Sequence, residues 1–275
     1  PILLNKVVLE YIPKFRQRLG DEVRKWGDWV RQKAEKELAE FYPQDTDGAR
    51  PIAYLWARTI LSDAPSTDQI PVEVPLLSSM WLSKKPHRGR ALRWVRGPDG
   101  NVKCDTVEQV YRDGRKLVVR RPLLEVFEPS NPKEVSAGTV GRGSVTCPVT
   151  GFTTQVTQVR IQLQARKGGT RDARLVCVVT TRSAEQGRFY RAPTEGDVTA
   201  ATAAECALQR VEASSRTPFP LIPHEEISLN EIRRISVPLY GMATWGDVFS
   251  SRQLLALVTI ARLVREAGEA CGAIN

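Results

Sequence analysis

Residues 145–160 read VTCPVTGFTTQVTQVR. Within this stretch Cys147-Pro-Val-Thr150-Gly151 has the form of one edge of a zinc knuckle, Cys-x-x-Cys-Gly, with Thr150 where a second cysteine would stand. Structural zinc takes four soft ligands, usually from two such hairpins. The other cysteines, Cys104, Cys177, Cys206 and Cys271, are scattered and unpaired at short spacing. Cys104 and Cys177 sit inside strand-like runs, where a cysteine serves as a small buried hydrophobe. Cys147 is therefore one potential ligand without a set, and zinc is not expected. Five widely spaced cysteines fit free thiols in a reducing cytoplasm better than a disulfide framework. The two histidines, His87 and His224, lie beside proline in polar stretches and read as exposed loop residues.

The second chemical feature is charge. The chain carries a net charge of +9, and the stretch from Lys84 to Arg121 holds twelve Lys/Arg against four acids. That excess of eight implies a polyanionic partner, most simply nucleic acid. A solvated hairpin face would give the same count. Lys84, Lys85, Arg88, Arg90 and Arg93 head this run, with the aromatic residues Trp81, Trp94 and Tyr111 among them. Arg142, inside Gly138-Thr-Val-Gly141-Arg-Gly143, offers a further phosphate contact. That glycine-rich stretch lies between strand-like runs and opens no helix, so it reads as a tight turn rather than a phosphate cradle. No G-x-S-x-G elbow or Walker loop is present, and two lone histidines do not support a hydrolytic triad. No run approaches a membrane span; the most apolar, residues 254–264, is interrupted by Arg262.

Three kinds of element must position these residues. Residues 1–10 suit a short helix with proline in its first turn. A longer amphipathic helix follows, with Asp21 placed to cap it and a stripe at Val23, Trp26, Val30, Ala34, Leu38 and Phe41, widened by Trp29. From about 52 to 193, short β-branched and aromatic runs alternate with turn signals at Pro98–Asn101, Arg112–Gly114 and Lys167–Thr170. Residues 155–164 are read as one of these strands, since Val156, Val159, Ile161 and Leu163 nearly alternate. Thr194-x-x-Asp197 has the form of a capping box before an alanine-rich helix to about Ser214. Residues 215–238 are read as extended. Ser250 or Ser251 caps a last helix that Gly268 ends. Helices thus bracket a strand-rich middle: a β insertion in an α/β domain, or two domains.

Taken in order, these stretches resemble the adenine-specific DNA methylases that carry a zinc-ribbon insertion. Pro1-Ile-Leu-Leu-Asn5-Lys6 is similar to the stretch after that family's second cofactor strand, and GDEVRKWGDWVRQKAEKEL to its next helix. YLWARTI, VPLLSSMWLSKKP, GTVGRGSVTCPVTGFT, QARKGG and FYRAPTEGD resemble its insertion. YGMATWGDVFSSRQLLALVTI resembles its strongest internal signature.

The resemblance implies an α+β chain: a fragment of a Rossmann-like α/β methyltransferase with a large, degenerate zinc-ribbon-like β insertion. It divides the chain into a helical part of the core (1–50), the insertion (51–193), a helix and connector (194–239) and a helix returning to the core (240–275). It implies S-adenosylmethionine as cofactor, held mainly outside this segment, with Pro1 and Ile2 nearest to it. It implies double-stranded DNA as partner, contacted by Lys84, Lys85, Arg88, Arg90, Arg93 and Arg142, and a target adenine flipped from the duplex. The family's catalytic Asp-Pro-Pro-Tyr and its cofactor glycine loop are absent from 1–275, so no catalytic residue is assigned here. The start at Pro1 and the end at Asn275 are expected of a middle fragment. The family's first cysteine pair would fall near Leu61–Asp68, which has none, and the second at Cys147 and position 150. Cys147 is then a remnant ligand, and packing of Trp56, Leu77, Trp81, Phe152 and Val156 would replace metal. Two other readings stay open: a non-catalytic nucleic-acid-binding module, and an interaction domain working with phage-defence or restriction operon proteins.

Overall fold

The computed structural model describes residues 2–65, 70–85, 88–111, 114–167, 169–216, 219–230 and 235–272. Pro1, His87, the Arg112–Asp113 part of one expected turn, Gly168 of another and Ser66–Asp68 lie outside the described residues. In chain order the helices are α1 (Ile2–Lys6), α2 (Ile12–Leu38), α3 (Val156–Arg166), α4 (Glu195–Ser214) and α5 (Ser251–Gly272). The strands are β1 (Arg50–Leu61), β2 (Glu73–Pro75), β3 (Trp81–Ser83), β4 (Arg90–Trp94), β5 (Cys104–Val110), β6 (Lys116–Pro122), β7 (Leu124–Phe127), β8 (Val140–Gly141), β9 (Ser144–Thr146), β10 (Thr153–Thr154), β11 (Ala173–Arg182) and β12 (Glu185–Arg191). The chain is mixed α and β, with helices on either side of a strand-rich middle, as the composition of its segments leads one to expect. Among the described residues every pair of these strands is antiparallel.

The central sheet runs β12-β11-β1-β2. Its strand β11 is buried continuously from Leu175 to Thr180. A strand covered on both faces loses its polar alternation and reads as an unbroken apolar run, and LVCVVT is such a run. On one side Ala57 and Val176 pack with Leu77, Met80 and Leu92. The smaller sheets β3-β4-β7, β8-β9-β10 and β5-β6 complete the β unit. The helical layer is held by Phe41, Ala204, Leu208, Ile222, Leu254 and Leu255. In α4 the buried residues Ala200, Ala204 and Leu208 recur every four positions, and the small alanine side chains let α5 approach closely.

Three local expectations are corrected. Residues 156–166 form a helix, not a strand: Val159, Leu163 and Arg166 are buried at spacings of four and three, and Ile161 is 51% exposed. Burial of one helical stripe against Ile60, Val74 and Val145 outweighs the β-branched composition. Asp21 caps nothing; the helix continues through it from Ile12, the break falls at Arg16 (φ 50°, ψ −131°), and Asp21 pairs with Arg24 instead. The stripe correspondingly starts late, since Val23 is 63% exposed while Ala34 and Phe41 are buried. The last helix passes Gly268 and runs to Gly272. The capping box at Thr194 is formed as expected, with Thr194 and Asp197 each accepting from the other's backbone N–H.

A short 3₁₀ turn, Val237–Tyr240, packs on α3 and ends at Gly241 with φ 78°. A Cβ there would lie 2.2 Å from the Leu163 carbonyl oxygen. Gly241→Ala therefore combines a left-handed backbone with a backbone clash, and should lower stability by about 2–3 kcal/mol. Urea unfolding checks this; a change within about 0.5 kcal/mol would mean that this turn does not press on α3.

Candidate nucleic-acid interface

The expected DNA-contacting residues fall on two separate hairpins. Five of the six lie between β3 and the end of β4. The apolar residues Met80, Ala91 and Leu92 anchor this hairpin, and the backbone N–H of Leu92 donates to the Met80 carbonyl at 2.7 Å. Lys84, Lys85 and Arg88 are exposed. The Lys84 ammonium lies 6.0 Å from the Trp81 ring centre. Arg88 donates to the Gln186 carbonyl at 3.2 Å, tying the loop to β12.

Arg90 and Arg93 differ from their neighbours in being paired. Arg90 meets Glu128 at 2.9 Å. Arg93 meets Glu125 at 2.7 Å, its direct cross-strand partner in the β4–β7 register, and stacks over Phe127 at 4.7 Å. Exposed ion pairs of this kind contribute about 0–1 kcal/mol, so a phosphate can exchange for either carboxylate at little cost. The rest of the basic run is also partly neutralised. Arg121 pairs with the buried Glu73 at 2.6 Å, and Lys116 with Glu108 at 3.2 Å. Lys84, Lys85 and Arg88 in the loop after β3 are exposed, as are Arg96 and Lys103 further along the run.

Arg142 stands alone at the tip of the β8–β9 hairpin, exposed. Arg142 and Gly143 have φ 51° and 86°. Two consecutive positive φ values give a two-residue turn whose twist matches the flanking strands, with a non-glycine residue at its first position. The expected tight turn is present, and it projects a guanidinium away from the sheet.

The three aromatic residues of the basic run have different fates. Tyr111 is 8% exposed and lies under the Arg166 guanidinium at 4.7 Å. Trp94 packs with Leu92, Met80 and Leu124. Trp81 is half-buried and opens onto the cleft beside Lys84 and Lys85.

Cys147 is 1% exposed, in a cluster with Ile60, Val74, Val145, Val159 and Leu163. Its turn keeps a knuckle's backbone form: the Gly151 N–H donates to the Cys147 carbonyl at 2.9 Å, and Gly151 has φ 72°. The sulfur sits among aliphatic side chains. Among the described residues no group of three or more His, Cys, Asp or Glu side chains could hold a metal ion. The packing that holds this layer is also not the set expected. Leu77 is buried, but Trp56 and Phe152 are 38% and 40% exposed, and Ile60, Val145 and Leu163 fill the interior. His224 is exposed, as read from the sequence.

Charge counting missed a set of interior cations. Arg166 is 6% exposed and donates to the Thr59 carbonyl at 2.8 Å and to Asp172 at 3.2 Å. Burial pushes the Asp172 carboxyl up, and Arg166 pulls it part of the way back. Arg191 bridges Asp45 and Asp197, both at 2.6 Å. Arg252 is 5% exposed and stacks on Tyr54 at 4.0 Å. These arginines join helices to sheet. Burial also pushes the Cys177 thiol up to about 11, which keeps it unreactive.

Of the residues expected near S-adenosylmethionine, Pro1 lies outside the described residues and Ile2 is 84% exposed on α1. Ile2 carries no polar side-chain atom and could meet that cofactor only by apolar contact. No helix among the described residues is long and apolar enough to cross a membrane. No family model, curated protein or solved structure matches the chain.

Proposed function

We propose that the chain is the interior segment of a DNA adenine-N6 methyltransferase dependent on S-adenosylmethionine, acting in the cytoplasm. On this reading the β unit is an insertion that holds duplex DNA, α2 and α5 belong to a Rossmann-like core, and α4 lies in the connector between insertion and core. The observation that carries the DNA part is the distribution of charge. Arg166, Arg191 and Arg252 are paired or stacked inside the fold, while Lys84, Lys85, Arg88 and Arg142 stand exposed on hairpins. Ammonium and guanidinium groups so placed displace counterions from phosphates, which is the main source of sequence-independent affinity for DNA. The methyltransferase part is supported by the ordered series of stretches from Pro1 to Ile260. The resemblance places the cofactor mainly outside this segment, so no step of methyl transfer is routed through its residues.

A second reading is a DNA-binding or phage-defence module without catalysis of its own. The same exposed cations serve this reading without any cofactor. Both readings require the same interface. Changing Lys84, Lys85, Arg88 and Arg142 to Gln should weaken binding of a fluorescent duplex to a similar degree on every sequence. Each change should also take about 0.9 from the salt slope. Unchanged affinity in the fourfold variant would sink the assignment of these residues.

A further inference from the structure

The loop after β3 does more than carry charge. Trp81, Lys84, Lys85, Gly89, Pro129 and Ser130 line an open cleft of about 740 Å³. That lies within the range of about 300–1,000 Å³ usual for small-molecule sites. Trp81 is half-buried, so its position is set by the β3–β4 sheet while part of its ring remains accessible. Gly89 sits at the ring's edge, where even a Cβ would lie 3.4 Å from the indole and 3.8 Å from Pro129. Glycine at this position keeps the wall of the cleft low. The acid in the cleft, Glu128, is balanced by Arg90 at 2.9 Å, so Lys84 and Lys85 set its net charge.

An intact duplex presents phosphates outside and hides the faces of its bases in the stack. Two lysines on an open surface would suffice for it, and an indole in the same cleft would add nothing. A planar ring beside two ammonium groups matches a nucleotide whose base has left the stack: the base lies on the ring, and its flanking phosphates meet the cations. We propose that this cleft receives one unstacked nucleobase of a DNA strand on Trp81, with Lys84 and Lys85 on the adjoining phosphates. This rests on the DNA-binding reading above and adds the form of DNA that is preferred.

The test compares a blunt duplex with the same duplex carrying one unpaired thymidine, titrated into the full chain. The unpaired base should improve affinity about fivefold to a hundredfold, the range that base–aromatic stacking supplies. Trp81→Ala should remove that preference, and Trp81→Phe should keep most of it. Equal affinity of the wild-type chain for the two DNAs overturns the proposal without needing any variant to fold. A preference that survives in a folded Trp81→Ala chain overturns it as well. If blunt duplex binds but no preference is seen, only this inference falls. If neither DNA binds at low salt, the DNA-binding reading falls and takes the inference with it.

Discussion

Asp197→Ala should lower the stability of the chain by about 3–5 kcal/mol, the cost typical of breaking a buried charge pair. The Asp197 side chain is 2% exposed and accepts from Arg191 at 2.6 and 3.0 Å. It also accepts from the Thr194 N–H at 2.8 Å and the Thr194 hydroxyl at 2.9 Å. One carboxylate therefore caps α4 and ties it to β12. Loss of the cap alone costs about 0.5–2 kcal/mol. The larger part comes from Arg191, which would keep Asp45 alone as an anionic partner among the described residues. The same group makes stability depend on pH. Burial by itself would raise its carboxyl, but the hydrogen bonds from Arg191 and Thr194 outweigh burial and hold it below the usual range. Its contribution is complete above the unfolded value of about 4 and disappears as pH falls through the lowered folded value. Urea unfolding at neutral and acidic pH should show Asp197→Ala losing both stability and part of the acid dependence. A loss under about 1 kcal/mol would mean that the network is solvated in practice.

Arg166→Ala should cost a similar amount, about 3–5 kcal/mol, for a related reason. Its partner Asp172 is 5% exposed in the side chain, and burial already pushes its carboxyl up. Without that guanidinium Asp172 keeps the weaker attraction of Arg58, and the carboxyl should rise further. Arg166 also holds the Thr59 carbonyl, so α3 would lose a tie to β1. The informative comparison is the double variant Arg166→Met with Asp172→Leu. Replacing a buried pair by apolar groups of similar volume is often neutral, so the double variant should recover most of the loss. A double variant as unstable as Arg166→Ala would show that the Thr59 contact, not the charge pair, dominates.

What could be read in the sequence was local. The capping box at Thr194 and Asp197 spans four residues, and no distant contact is needed to form it. The turn at Pro98–Asn101 is equally self-contained: Asp99 accepts from the Asn101 N–H, and Gly100 takes φ 77°. Helix α3 was hidden because its residues are β-branched and polar by turns, and only packing against Ile60 and Val145 shows that Val159 and Leu163 share a face. The basic surface was legible in outline and not in detail. Nothing near Arg93 in the chain announces Glu125, thirty-two positions away, because their meeting depends on β4–β7 register. The buried arginines were invisible for the complementary reason. A count of charges treats every cation as exposed, whereas Arg166, Arg191 and Arg252 meet their partners only after helices and sheet have come together.

The central claim is that exposed hairpin cations hold duplex DNA. Its most direct test is the affinity of the full chain for a fluorescent duplex, measured by anisotropy over a range of salt concentrations. Four phosphates met by Lys84, Lys85, Arg88 and Arg142 predict that log affinity falls against log salt with a slope of about −4. A slope near zero, or no binding at low salt, would contradict the claim.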